Sequence, residues 1–292
     1  MMRVAGFVSL KTRTALLARY TSPDAISLVQ SLFDSPAWHK ATAKLVGAAD
    51  SDSIAEHLVS LICSTVSNNG TSLLAFHSDA PPEVMHHSLV PSSARHYLDR
   101  YLAGPYLLDP LYQMALRTQE PTLCRFRDTQ PDRFSSSEYY RQYVERTHLV
   151  DEMDFLLRVS ETSALVVVCG RTEKRFTRIE LSRLRLVEPI VRAAMQRAWD
   201  SRDNQGAHDD RNHGMHQRLT ECFENFGDDA LTQREKEITQ LLLRGHSSKS
   251  IARELGIAPG TVMVHKRNLF AKLGITSQYE LFSSFIDALS DS

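Results

Sequence analysis

Between Leu231 and Leu289 the signals that start and stop helices recur so closely that only short helices joined by tight turns can be built there. Thr232 and Glu235 form a Ser/Thr-x-x-Glu pair, in which each side chain satisfies a free backbone N–H of the first helical turn. Ile238, Leu241 and Leu242 follow at helical spacing, and Gly245 stands where a left-handed residue ends a helix. A second helix is expected from Ser247 or Ser248, burying Ile251, Ala252 and Leu255 and stopping at Gly256. Pro259 suits the first turn of a third helix, where its missing N–H costs nothing. Ser277 and Glu280 open a fourth, which carries Leu281, Phe285, Ile286 and Leu289.

Two short helices joined by a Gly-containing turn make the helix-turn-helix pattern, whose second helix enters the major groove of DNA. The third helix here has the two faces this requires. Val262, Leu269 and Leu273 form a buried stripe, while Met263, Val264, Lys266, Arg267 and Ala271 fall mostly on the other side. From Arg244 to Lys272 six basic residues (Arg244, Lys249, Arg253, Lys266, Arg267, Lys272) face one acid, Glu254. A one-sided basic surface is what phosphate binding by counterion release needs. A helical bundle with a solvated charged face is the alternative reading.

The stretch 230–286 resembles the LuxR-type, four-helix DNA-binding domain. The resemblance rests on Leu231-Thr232-x-Arg234-Glu235, Gly245, Ile251-Ala252-x-x-Leu255, Thr261-Val262-x-x-His265 and Lys272-Leu273-Gly274. It implies that Ser248, Lys249, Thr261, Met263, Val264, Lys266, Arg267 and Lys272 meet operator DNA. It further implies a homodimer joined near the fourth helix, and contact with RNA polymerase. Met263 stands where the family commonly has Lys, and Ser248 where it commonly has Asn. Contact at 263 is therefore expected to be apolar, as with a thymine methyl, or absent, and Arg267 is the candidate for guanine.

The chain has 292 residues, enough for about two domains, and 42% hydrophobic content supplies ordinary cores. Its net charge of −1 argues against a general polyanion binder. Cys63, Cys124, Cys169 and Cys222 show neither a Cys-x-x-Cys pair nor zinc spacing, and read as small buried hydrophobes. No apolar run approaches a membrane span, and Lys11, Arg13 and Arg19 interrupt the N-terminal apolar stretches, so a cytoplasmic protein without a membrane partner is expected.

Residues 1–20 show no period and are expected to be a disordered leader. Helices are expected with Ile26, Val29, Leu32 and Phe33, with Trp38, Leu45 and Val46, and from Ser53 with Ile54, Leu58, Leu61, Ile62 and Val66. Asn68-Asn69-Gly70 marks a turn, after which 71–77 and 83–89 read as a hairpin. Residues 92–117 return to helical spacing, broken at Gly104-Pro105. Residues 121–135 look irregular, and Ser135 with Glu138 caps a helix bearing Tyr139, Tyr140 and Tyr143. Residues 153–159 alternate at strand period, 164–169 read as a buried strand, and Thr177 with Glu180 opens a long helix kinked at Pro189.

The sum is α+β. An N-terminal antiparallel sheet with flanking helices, the architecture of GAF and PAS sensor domains, is followed by a polar linker and the all-α helix-turn-helix domain. The expected boundaries are 21–200 for a ligand-sensing domain, 201–226 for the linker and 227–292 for the DNA-binding domain.

No Gly-x-x-x-x-Gly-Lys-Ser/Thr loop, Gly-x-Ser-x-Gly elbow or His-Glu-x-x-His motif is present, so neither an enzyme nor a cofactor or metal site is expected. The order of elements also differs from that of a phosphorylated receiver domain. The richest constellation is aromatic with one carboxylate, Tyr97, Tyr101, Tyr106, Asp109 and Pro110 with Phe126, Tyr139, Tyr140 and Tyr143 downstream, and from it Tyr97, Tyr101, Tyr106, Asp109, Phe126 and Tyr140 are the candidates for effector contact. Apolar walls with a few polar tips make a small-molecule site, while the plainer reading packs these rings as core and has Asp109 cap the helix at Pro110. Tyr97-x-x-x-Tyr101 with Asp109-Pro110 is similar to the pattern of autoinducer-binding domains in LuxR-type receptors, where Tyr and Asp hold an acyl-homoserine lactone. Tyr97 replaces the usual Trp, and the gap to Asp109 is a residue shorter. The expected function is a one-component transcription regulator gated by a small effector. A ligand-independent or partner-controlled regulator and an acyl-homoserine-lactone receptor are the alternatives.

Overall fold

The structure, a computed structural model, describes residues 34–202 and 220–290 apart from 138, 222, 224 and 228, with the side chains of 279 and 286–290 left undescribed. The expected leader, the helix bearing Ile26, Val29, Leu32 and Phe33, and most of the polar linker lie outside these residues.

Helices α1 (Pro36–Gly47) and α2 (Ser51–Thr65) start where side chains can replace missing backbone partners. Ser35 Oγ accepts from Trp38 N at 3.3 Å, and Asp50 Oδ1 from Ser53 N at 2.9 Å. Strands β1 (Gly70–His77) and β2 (Glu83–His87) form the expected hairpin. With β3 (Thr122–Arg125), β4 (Asp151–Arg158) and β5 (Ser163–Arg171) they build a five-stranded sheet, order β2-β1-β5-β4-β3, antiparallel throughout. Strand β3 corrects the expectation of irregular chain over 121–135. Four half-buried residues at a sheet edge are too few to show a period.

Strand alternation divides the sheet into two faces. On one, Leu73, Ala75, Met153, Phe155, Leu157, Leu165, Val167 and Cys169 pack with α1, α2 and α4 (Arg178–Arg202). Helix α4 opens at the Thr177–Glu180 box and runs as one helix through Pro189. On the other face, Leu74, Phe76, Leu156, Ala164 and Val166 lie under a broken helical layer. That layer comprises a helix passing from Pro91–Ala94 through a π-helical Arg95–Asp99 to Arg100–Leu102, a 3-10 turn at Pro105–Leu108 and α3 (Pro110–Arg117). A second π-helical turn follows at Tyr140–Val144. Its start is capped by Ser137, whose Oγ accepts from Tyr140 N at 3.2 Å, rather than by Ser135, which lies in a preceding 3-10 turn.

The C-terminal unit consists of α5 (Gln233–Leu243), α6 (Ser248–Glu254), α7 (Pro259–Leu273) and α8 (Gln278–Ser290). Thr232 and Glu235 complete both halves of their capping box. Gly245, at φ 90°, turns the chain between α5 and α6, and Gly274, at φ 68°, ends α7, both left-handed positions at no Cβ cost. Val262 and Leu269 of α7 and Leu281, Phe282 and Phe285 of α8 are buried within the chain.

This unit is not separate from the one that carries the sheet. One apolar cluster runs from Leu74, Phe76 and Phe134 to Ile238, Leu242, Ile251 and Phe285. Polar contacts fix the join: Arg133 N donates to Gly245 O at 3.1 Å, Ser247 N donates to Asp132 Oδ1 at 2.9 Å, and Ser247 Oγ donates to Asp132 Oδ2.

Candidate effector cavity and DNA-reading helix

A cavity of about 70 Å³ lies between the sheet and the broken helical layer. Leu74, Phe76 and Val168 form its floor, and Tyr97, Tyr101, Tyr139 and Tyr143 stand around it. Both π-helical turns contribute a ring here, Tyr97 from one and Tyr143 from the other. The extra residue in a π turn re-aims side chains, a distortion often found at functional sites.

Asp109 has two jobs at once. Its Oδ1 accepts from Leu111 N at 2.8 Å, capping α3, while Oδ2 accepts from the Tyr101 hydroxyl at 2.7 Å. Tyr139 is a third partner. Burial pushes this carboxyl up to about 6, against the downward pull of those hydrogen bonds. Burial, followed by the charge of Asp109, also holds the Tyr101 and Tyr139 hydroxyls well above the usual tyrosine range.

Of the six residues expected from sequence, the structure brings Tyr97, Tyr101 and Asp109 to the cavity. Three it places elsewhere. Tyr106 is fully buried edge-on to Tyr112, with ring centroids 5.4 Å apart, and Phe126 and Tyr140 pack on Phe134. Tyr139 and Tyr143 take their places, together with Glu152 of β4, which composition alone never singled out. Glu152 is 8% exposed and makes no hydrogen bond or ion pair among the described residues. Burial, then the charges of Asp109 and Asp151, push its carboxyl up to about 8. Two residues on, Asp154 is fully buried with neither carboxyl oxygen hydrogen-bonded, and burial, then Glu152, raise it as well. The signal for both was present but misleading. Acids alternating with apolar residues read as the wet face of a strand, and here the helical layer covers that face.

On the DNA-reading side, Thr261, Met263, Val264 and Arg267 of α7 and Lys249 of α6 are exposed. Met263 keeps 64% and Val264 47% of its surface, an apolar pair without an intrachain partner to cover it. Ser248 is half-buried beside the Asp132–Ser247 contact. Lys266 is half-buried over the Phe270 ring, 5.2 Å from its centroid, and burial, then Arg133 of the N-terminal unit, lower its pKa. Lys272 Nζ donates to Glu235 Oε2 at 2.6 Å, so that cation is engaged inside the domain.

Residues 229–285 match the family described as bacterial regulatory proteins, luxR family. A putative HTH-type transcriptional regulator in the exeN 3′ region of Aeromonas salmonicida is 32% identical over 157 residues, covering 52% of this chain and 80% of the relative. The monoamine regulon transcriptional regulator of Klebsiella aerogenes is 25% identical over 203 residues, 70% of this chain and 77% of its own. Among solved structures, the VqsR LBD domain from Pseudomonas aeruginosa covers 57% of this chain and 99% of its own, with a TM-score of 0.50 and 23% identity, a likeness of fold.

Proposed function

The chain belongs to the luxR family of bacterial regulatory proteins, and from that premise we propose that it is a one-component transcription factor gated by a small effector. The effector enters the cavity beside Asp109 and shifts the equilibrium between two arrangements of sensor and DNA-binding unit. It acts only through its difference in affinity for the two. The observation that carries this reading is the cavity itself, with a buried Tyr101–Asp109 pair at its wall. The same helical layer continues into the segment that grips the helix-turn-helix.

The docked arrangement is the state the effector must open. Asp132 is tied to Ser247, next to Ser248 and Lys249, and Lys266 lies close enough to Arg133 for the two cations to repel. Released units would pair as a homodimer in the cytoplasm, read two half-sites one helical turn apart and engage RNA polymerase. Among the described residues no helix is long and apolar enough to cross a membrane.

The test is operator binding by the full-length protein, with its thermal midpoint followed in parallel, against a metabolite panel that includes acyl-homoserine lactones. A true effector raises the midpoint by mass action and changes DNA affinity over the same concentration range. A compound that stabilises the fold without altering DNA affinity would not be a gate. A panel without response would transfer control to a partner protein.

A further inference from the structure

Resting on the effector reading above, we infer that the ligand is a small organic cation: a protonated amine on an apolar body, with its charge set against Glu152 and Asp109 and its body among the tyrosine rings. Two carboxylates line the cavity, and its described lining contains no Lys, Arg or His. Glu152 is more than nine-tenths buried, reaches this space, and has no partner among the described residues. Asp154 lies on the same sheet face with both oxygens unpaired.

The nearest cations on the sheet are spent elsewhere. Arg125 is paired with Asp151, whose carboxylate also accepts from Phe176 N on the opposite face, and Arg171 is paired with Glu180. A buried carboxylate without a counter-charge is costly, so these groups keep their protons unless a positive ligand compensates them.

The walls suit the same class. Tyr97, Tyr101, Tyr139 and Tyr143 line the space, and aromatic rings carry a negative quadrupole that attracts an ammonium group. A metal ion fits worse, because among the described residues no three His, Cys, Asp or Glu side chains converge on a point where one could be held.

Protons follow from the charges. Glu152 meets Asp109, Asp154 and the tyrosine hydroxyls on its own face, with the charge of Asp151 acting from the other side of the strand and no basic group among the cavity's described lining. Seating an ammonium against a protonated Glu152 displaces that proton to solvent. An alkylamine stays charged to about pH 10, so affinity rises with pH as Glu152 ionises.

The experiment titrates the full-length protein with propylamine, butylamine and 2-phenylethylamine, and with the corresponding alcohols as uncharged controls of the same shape. Thermal midpoint and calorimetry are followed in two buffers of different ionisation enthalpy. The amines are expected to bind at least about tenfold more tightly than the alcohols, the worth of one charge-assisted contact, and to release protons near pH 6–7. Glu152→Gln should erase both effects. Should that variant fail to fold, the proton release by the wild-type protein still decides.

Equal binding of amines and alcohols, a Glu152→Gln protein that responds like wild type, or silence from all three amines would overturn the inference. If the amines are silent while a neutral lactone shifts both midpoint and DNA affinity, the cation idea falls and the effector reading stands. If neither class acts, both fall.

Discussion

Asp109 shows how one side chain can serve packing and sensing together. One oxygen caps α3 and the other receives the Tyr101 hydroxyl, so the two readings of this residue open at the level of sequence are both realised in one carboxyl group. Asp109→Asn keeps an amide oxygen for the cap and removes the charge, whereas Asp109→Ala strands two buried hydroxyls and the first-turn N–H. The alanine variant should lose about 2–4 kcal/mol in urea unfolding, a lost cap plus unsatisfied donors, and the asparagine variant far less. A carboxyl raised to about 6 from 3.8 keeps its proton in the folded state after the unfolded chain has released it. Its stabilising contribution is therefore full below about pH 3.8, shrinks as pH rises toward 6, and is flat above. Subtracting the Asp109→Asn curve from wild type should reveal that falling segment; parallel curves from pH 4 to 7 would mean Asp109 is charged throughout.

At the scale of elements, the decisive contact is between the 131–137 segment and the turn from α5 into α6. Gly245 serves twice: its φ of 90° suits glycine, and a Cβ there would lie 2.8 Å from the Cβ of Ser137. Attraction and repulsion are mixed across the join. Asp132 holds Ser247, while Arg244, lowered to about 10 by burial and then by Arg117 of α3, resists it. Such a contact is suited to opening. Asp132→Ala should therefore raise effector-free operator affinity by roughly 5–30-fold, the equivalent of 1–2 kcal/mol of charge-assisted hydrogen bonding; unchanged or weaker DNA binding would mean the docked form is already competent. What could be read from sequence divides along these same elements. The four C-terminal helices were legible because their limits are set locally, by Thr232, Ser247, Pro259 and three glycines. The cavity was legible only in part. Alternation over 153–159 marked a strand, but which of its faces is wet depends on distant helices broken by π turns. The join at Asp132 and Ser247 spans 115 residues and leaves no local trace.

For the whole molecule, one continuous apolar cluster links Phe76, Phe134, Ile238 and Phe285 across the two units. Calorimetry of the full chain should therefore show a single transition whose van't Hoff and calorimetric enthalpies agree, while two separated transitions would mean the join is too weak to couple the units. Helix-turn-helix domains are commonly pictured as cassettes, free to be recombined with any sensor by gene fusion. In this chain the seam carries core residues, and Phe223 and Phe226 pack edge-on against Phe285 close beside it. A cut in the polar stretch ahead of Thr220 would keep those rings with the DNA-binding unit but leave Phe134, Leu107 and Leu108 of the sensor short of their cover. Recombination in evolution, or in the construction of biosensors, would have to exchange the 131–137 segment along with the DNA-binding unit, so that the inherited cassette is larger than the helix-turn-helix itself.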